Sequence, residues 1–130
     1  MGNNNDERIL IVDDESTLAR LMRMLLEHMG YSVDWASNGH KALQLGADHR
    51  YSAVICDLLM PGMNGMELFH IWQSESPELA RRVIFVTGDN LGTRTNRFLQ
   101  HSGRPCLYKP FDIEELTGTL QLVTRAYASS

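Results

Sequence analysis

Cysteine is scarce in this sequence. Only Cys56 and Cys106 occur among 130 residues, too few and too far apart for a disulfide framework. Both stand in apolar, strand-like stretches, where free cysteine behaves as a small hydrophobe, so both read as reduced core residues. Long apolar runs are also missing. Met1 to Arg8 is polar and the first apolar run, Ile9 to Val12, is short, which leaves no signal peptide or membrane span there and points to the cytoplasm. The five histidines (His28, His40, His49, His70 and His101) include no pair at zinc-ligand spacing beside cysteine, so zinc is not implied. Positive charge is not in excess either. A net charge of −4 gives no general attraction to nucleic acid or anionic lipid. Arg94, Arg97, Arg104 and Lys109 form a loose basic grouping whose arginines read as solvated surface.

What is there is a regular alternation. With 43% hydrophobic residues, the chain fits one compact domain over residues 1–130. Five short apolar runs read as strands: Ile9 to Val12, Tyr31 to Ala36, Tyr51 to Asp57, Arg82 to Thr87 and Pro105 to Tyr108. Between them the period changes to that of helices. Leu18, Leu21, Met22, Leu25, Leu26 and Met29 form a stripe behind Ser16 as N-cap, and Gly30 ends it. Asn38-Gly39 reads as a turn before a short helix over Ala42 to Ala47. Met60 to Gly65 is dense in turn residues, and Met66, Leu68, Phe69, Ile71 and Trp72 resume a helix that stops before Pro77. Gly88-Asp89-Asn90 is a loop, and Thr93 to Gln100 a weak helix closed near Gly103. Ile113, Leu116, Leu120 and Val123 mark a last helix capped by Asp112. Strands alternating with helical crossovers imply an α/β fold with a parallel sheet and five helices.

In such a sheet the carboxyl ends of all strands share one edge, where ligand sites form. Asp13 and Asp14 close the first strand, Asp57 the third, Thr87 the fourth, and Lys109 follows the fifth. Three converging carboxylates repel one another unless a hard, oxygen-seeking cation neutralises them, and Mg²⁺ fits that demand. A carboxylate beside Mg²⁺ and a lysine ammonium can act as a nucleophile toward phosphorus, with the Thr87 hydroxyl donating a hydrogen bond and Gly88 leaving room for the phosphoryl group.

The run Ile-Leu-Ile-Val-Asp13-Asp14-Glu15, the stretch Asp57-Leu-Leu-Met60-Pro61-Gly62-Met63-Asn64-Gly65, Val86-Thr87-Gly88 and Lys109-Pro110-Phe111 together resemble the receiver domain of two-component response regulators. Each piece alone is weak, but four in order at matching spacing are specific. The resemblance implies a flavodoxin-like doubly wound (βα)5 sheet of order 2-1-3-4-5. It also implies Asp57 as phosphoacceptor, and Asp13, Asp14 and Asp57 as Mg²⁺ ligands assisted by the Leu59 carbonyl. Thr87 would be the switch hydroxyl and Lys109 the phosphoryl partner, with a cis Lys109-Pro110 bond. The implied donor is a histidine kinase or histidine phosphotransfer domain, and the output a changed surface toward a downstream protein target. Thr87-Gly88-Asp89 and Ser102-Gly103-Arg104-Pro105 resemble receivers attached to hybrid sensor histidine kinases. No helix-turn-helix or basic tail follows, so direct DNA binding is not expected.

Two positions depart from the family pattern. Cys106 stands where many receivers carry an aromatic switch residue; Tyr108, two residues on along the same strand face, either substitutes for it or packs under the last helix, and packing is the favoured expectation. Leu59, two residues after Asp57, puts an apolar group where a polar one would position attacking water. Leu59 also counts against an aspartate-nucleophile phosphohydrolase, which needs an acid there. A receiver-like module working without phosphate is disfavoured by intact Asp13, Asp14, Asp57 and Lys109.

Overall fold

The computed structural model describes residues 7–88 and 92–129, with side chains through residue 125. Asp89 and Asn90 of the expected loop lie outside the described residues, as does most of the polar N-terminus. Five strands form one parallel sheet of order β2-β1-β3-β4-β5: β1 Arg8–Val12, β2 Ser32–Ala36, β3 Ala53–Asp57, β4 Val83–Thr87 and β5 Cys106–Tyr108. The helices are α1 Ser16–His28, α2 Gly39–Asp48, α3 Gly65–Glu75, α4 Pro77–Ala80, α5 Thr93–Ser102 and α6 Ile113–Ser129.

Alternation along the buried strands sorts their side chains onto two faces. Leu10, Val12, Val54, Cys56 and Phe85 face α2, α3 and α5, meeting Leu68, Phe69, Trp72 and Leu99. Ile9, Ile11, Val33, Ile55, Ile84, Val86 and Leu107 face α1 and α6, meeting Met22, Leu26, Leu116 and Leu120. β3 and β4 are buried along their whole length, as expected of strands covered on both sides. The sheet therefore presents its carboxyl edge at a fixed place between two helical layers.

Helix boundaries differ from the sequence expectation at identifiable points. Ser16 does not cap α1. Glu15 occupies the cap position without a side-chain cap bond, and its own N–H bonds the Asp13 carboxylate at 2.8 Å. Asn38 belongs to the next helix rather than to a free turn: its side chain accepts from Lys41 N–H at 2.8 Å, so α2 begins at Gly39. A sixth helix, α4, was not expected. Pro77 lacks the N–H that a first helical turn leaves unpaired, so it opens a new turn as readily as it ends α3. The glycines and caps read from sequence hold elsewhere. Gly30 and Gly103 take positive φ at 99° and 68°, and Asp112 caps α6 by accepting from Glu115 N–H at 2.8 Å.

The edge strand β5 corrects two further expectations. Cys106 is only half-buried, because β5 is three residues long and has a neighbour on one side. Tyr108 does not pack under the last helix; it is 48% exposed. Leu107 takes that inward place against α6, and the period of two turns Cys106 and Tyr108 to the other face.

The amino edge of the sheet is rich in satisfied arginines. Arg8 donates to both oxygens of Asp34 at 3.1 and 3.0 Å, and the buried Tyr51 hydroxyl donates to the same carboxylate at 2.7 Å. Arg82 donates to the Tyr51 carbonyl at 3.0 Å, and Arg104 to the Val83 carbonyl at 2.9 Å. These bonds pin the strand starts to one another across the fold.

Candidate phosphoryl and metal site

Each strand of the central trio delivers a side chain to the carboxyl edge. β1 ends one residue before Asp13, which is held to β2 by its own N–H bonding the Ala36 carbonyl at 3.1 Å. Asp57 is the last residue of β3, in register with Val86 of β4, so Thr87 closes the adjacent strand one step further on. The Lys109 N–H bonds the Thr87 carbonyl at 2.7 Å, which extends the β4·β5 pairing to the lysine. The Lys109-Pro110 peptide is cis.

These placements gather the residues. Ligand oxygens of Asp13, Asp14 and Asp57 all lie within 4.8 Å of one another. Asp13 and Asp57 are buried, at 1% and 7% exposure, while Asp14 is open to solvent. Lys109 Nζ lies 3.7 Å from Asp57 Oδ2, and the Leu59 N–H donates to Asp57 Oδ1 at 3.2 Å. The Leu59 side chain is 58% exposed beside the site. Thr87 Oγ1 is buried and has no hydrogen-bond partner among the described residues.

The electrostatics are those of an incomplete site. Burial pushes the Asp57 carboxyl up to about 6; Lys109 and the Leu59 N–H pull it down, but Asp13 and Asp14 add to the upward displacement. Burial also raises Asp13, against the Glu15 N–H and Lys109. One lysine does not offset three carboxylates in a partly desolvated crevice. An unpartnered buried hydroxyl on the same edge is the second sign of a missing partner, since such groups are rare in folded proteins. Cys56, one residue before Asp57, is not part of this chemistry: its thiol is buried against the other face and held protonated by that burial.

The local sequence makes the arrangement possible at Gly65. A Cβ there would stand 2.6 Å from the Asp57 carbonyl oxygen and 2.9 Å from Leu58 Cα, so only glycine lets α3 begin directly against the end of β3. Asn64 caps that helix in a reciprocal pair with Glu67, both bonds at 3.0 Å. Gly65→Ala is expected to destabilise the protein by about 2–4 kcal/mol, because the contact is with backbone that cannot step aside; urea unfolding measures it. Thr87→Val is expected to do the reverse. Replacing a buried hydroxyl that has no partner among the described residues by a methyl of similar size should stabilise the protein by about 1 kcal/mol, read from the same unfolding curves.

Sequence patterns missed two contacts here. The Trp35 indole N–H donates to the Asp13 carbonyl at 2.8 Å, a pairing across 22 residues that no periodicity announces. The Glu15 N–H bond to Asp13 is local, and an acidic residue two positions before it is the signal that could have found it.

Comparison with known proteins agrees with this geometry. The family model described as response regulator receiver domain matches residues 9–121. The response regulator ArlR of Staphylococcus aureus is 34% identical over 119 residues, covering 91% of this chain and 52% of the relative. The chain thus spans about half the length of the curated relatives it matches. Among solved structures, a CheY-like receiver domain protein from Methanospirillum hungatei shares the fold at a TM-score of 0.86 and 24% identity, over 95% of this chain and 97% of that one. The response regulator TrrA of Thermotoga maritima, solved in complex with Mg(2+)-BeF, superposes at a TM-score of 0.78 and 28% identity, over 90% of this chain and 98% of that one. A matching model over most of the chain, a relative at this identity and a 2-1-3-4-5 sheet place the protein in the receiver-domain family of two-component response regulators.

Proposed function

We propose that this domain, over residues 1–130, accepts a phosphoryl group on Asp57 from a phosphohistidine of a histidine kinase or histidine phosphotransfer partner. The reaction uses Mg²⁺, takes place in the cytoplasm and alters a surface read by a downstream protein target. The observation that carries the reading is the crevice itself: three carboxylates within 4.8 Å, an ammonium 3.7 Å from one of them and a partnerless buried hydroxyl on the neighbouring strand.

The donor set suits a hard dication, with Asp13, Asp14 and Asp57 carboxylates and the Leu59 carbonyl as the groups that would hold it. Bound there, Mg²⁺ supplies positive charge that neutralises the cluster and draws charge from phosphoryl oxygens. The rest belongs to the chain. An Asp57 oxygen attacks phosphorus; the new P–O bond forms as the P–N bond breaks, and the electron pair of that bond stays on the imidazole nitrogen. The ring leaves neutral when its other nitrogen already carries a proton. Lys109 moves from neutralising Asp57 to pairing with a phosphoryl oxygen, and Thr87 donates its free O–H to another. Because Thr87 and Lys109 end β4 and precede the turn after β5, drawing them inward repositions β5 and α5 through a two-state equilibrium. α5 suits that role, with Leu99 as its one buried residue.

Incubation with acetyl phosphate and Mg²⁺ is expected to add the mass of a single phosphoryl group, measured on the intact protein. An unchanged mass at saturating donor, or labelling that persists undiminished after the cation is chelated, would refute the proposal.

A further inference from the structure

Trp35 lies on β2, opposite Ile11 in the β1·β2 register, and its half-buried ring packs with the α1 side of the sheet. The indole reaches past the strand end. Nε1 donates to the Asp13 carbonyl at 2.8 Å, while the Asp13 N–H bonds Ala36 of the same strand at 3.1 Å and the Asp13 carboxylate accepts from Glu15 N–H at 2.8 Å. The N–H, the carbonyl and one carboxylate oxygen of Asp13 are thus each hydrogen-bonded, the first two to β2. The bond from Trp35 is made to the carbonyl of the Asp13–Asp14 peptide. Asp14 is exposed and its placement beside Asp13 and Asp57 depends on that peptide.

We infer that Trp35 is a positioning residue for the cation pocket: its indole N–H holds the Asp13–Asp14 peptide so that both carboxylates face Asp57 before any cation arrives. The inference rests on the proposed function, since it assigns Trp35 a part in the same pocket. Outer groups that orient ligating carboxylates contribute to metal affinity without touching the metal. Because the N–H acts through the peptide rather than on the reacting atoms, its removal weakens cation binding and spares the chemical step once the pocket is filled. The same bond makes Trp35 a reporter of the pocket. The second tryptophan, Trp72, is buried in α3 against Gly46, in the core cluster of the opposite face.

Trp35→Phe keeps a ring against α1 and removes the donor. Titration calorimetry with Mg²⁺ is expected to show affinity roughly three- to tenfold weaker than wild type, the scale of one hydrogen bond. Labelling by acetyl phosphate should need correspondingly more Mg²⁺ to reach half-maximal rate, with the rate at saturating Mg²⁺ kept within about twofold. In Trp72→Phe, where Trp35 is the remaining indole, emission should change on Mg²⁺ addition with the midpoint found by calorimetry. Wild-type protein that binds no Mg²⁺ would sink both the proposed function and this inference. Wild-type binding with equal affinity in Trp35→Phe, or unresponsive emission in Trp72→Phe, would sink this inference alone. A fall in saturated rate together with a lower unfolding midpoint would overturn it in favour of a purely structural role.

Discussion

Asp57→Asn is expected to accept no phosphoryl group from acetyl phosphate, with an initial labelling rate reduced by at least about 10³-fold, the scale on which enzymes lose a nucleophile. The geometry says why neighbouring acids do not take over. Asp13 is 1% exposed and one of its oxygens is already engaged by the Glu15 N–H at 2.8 Å. Asp14 is open to solvent, and no ion pair joins it to Lys109 among the described residues. Asp57 alone combines a position at the end of β3 with Lys109 at 3.7 Å. The amide keeps the shape of the carboxylate and the Leu59 N–H can still bond to its oxygen, so the loss isolates nucleophilicity from packing. Intact mass and peptide mapping check it; labelling of the variant at the wild-type rate, or on Asp13 or Asp14, would move the acceptor elsewhere.

The same substitution should stabilise the protein in the absence of divalent cation. Asp57 titrates at about 6 in the folded protein against 3.8 for the unperturbed group, because burial and two like charges disfavour its ionised form. A raised carboxyl pKa means the folded state binds its proton more tightly than the unfolded chain does. Its contribution to stability is fully present below about 3.8 and is lost as pH rises through about 6. The loss amounts to on the order of 2–3 kcal/mol at neutral pH. Asn carries no such penalty. Urea unfolding without Mg²⁺ should therefore find Asp57→Asn more stable than wild type at about pH 7.5, with the gap closing toward about pH 4. Comparing variant with wild type at each pH cancels the titrating groups that do not interact with Asp57. Saturating Mg²⁺ should narrow the gap at neutral pH by stabilising wild type more than the variant. Equal stabilities at all pH values would mean that the cluster carries no uncompensated charge.

Legibility followed the range of the forces involved. The sheet could be read because Ile9 to Val12, Tyr51 to Asp57 and Arg82 to Thr87 are apolar runs of strand length, and because parallel strands oblige their ends to meet. The convergence of Asp13, Asp14, Asp57, Thr87 and Lys109 came from that rule together with the family resemblance. Caps were legible where one side chain decides them, as at Asp112, and failed at Ser16, which α1 takes in as its first residue with no side-chain cap before it. The short α4 escaped because four residues carry no period. Tyr108 was misplaced because its face depends on which residue of a three-residue strand turns inward, and Leu107 took that place. Trp35 could be assigned to a strand face but not to a bond with Asp13, since that contact exists only once two strands have paired.

The arginines described at the strand starts, set against the acids at the strand ends, give the sheet an electric axis along its strands. Guanidinium groups sit at one pole, each already engaged; at the other, carboxylates outnumber the lysine between them. An anionic phosphodonor approaching the acidic pole meets repulsion until a dication has lodged there. On the proposed function, arrival would be sequenced, cation before donor, and the rate of capture is expected to fall as added salt screens the attraction that draws the dication in.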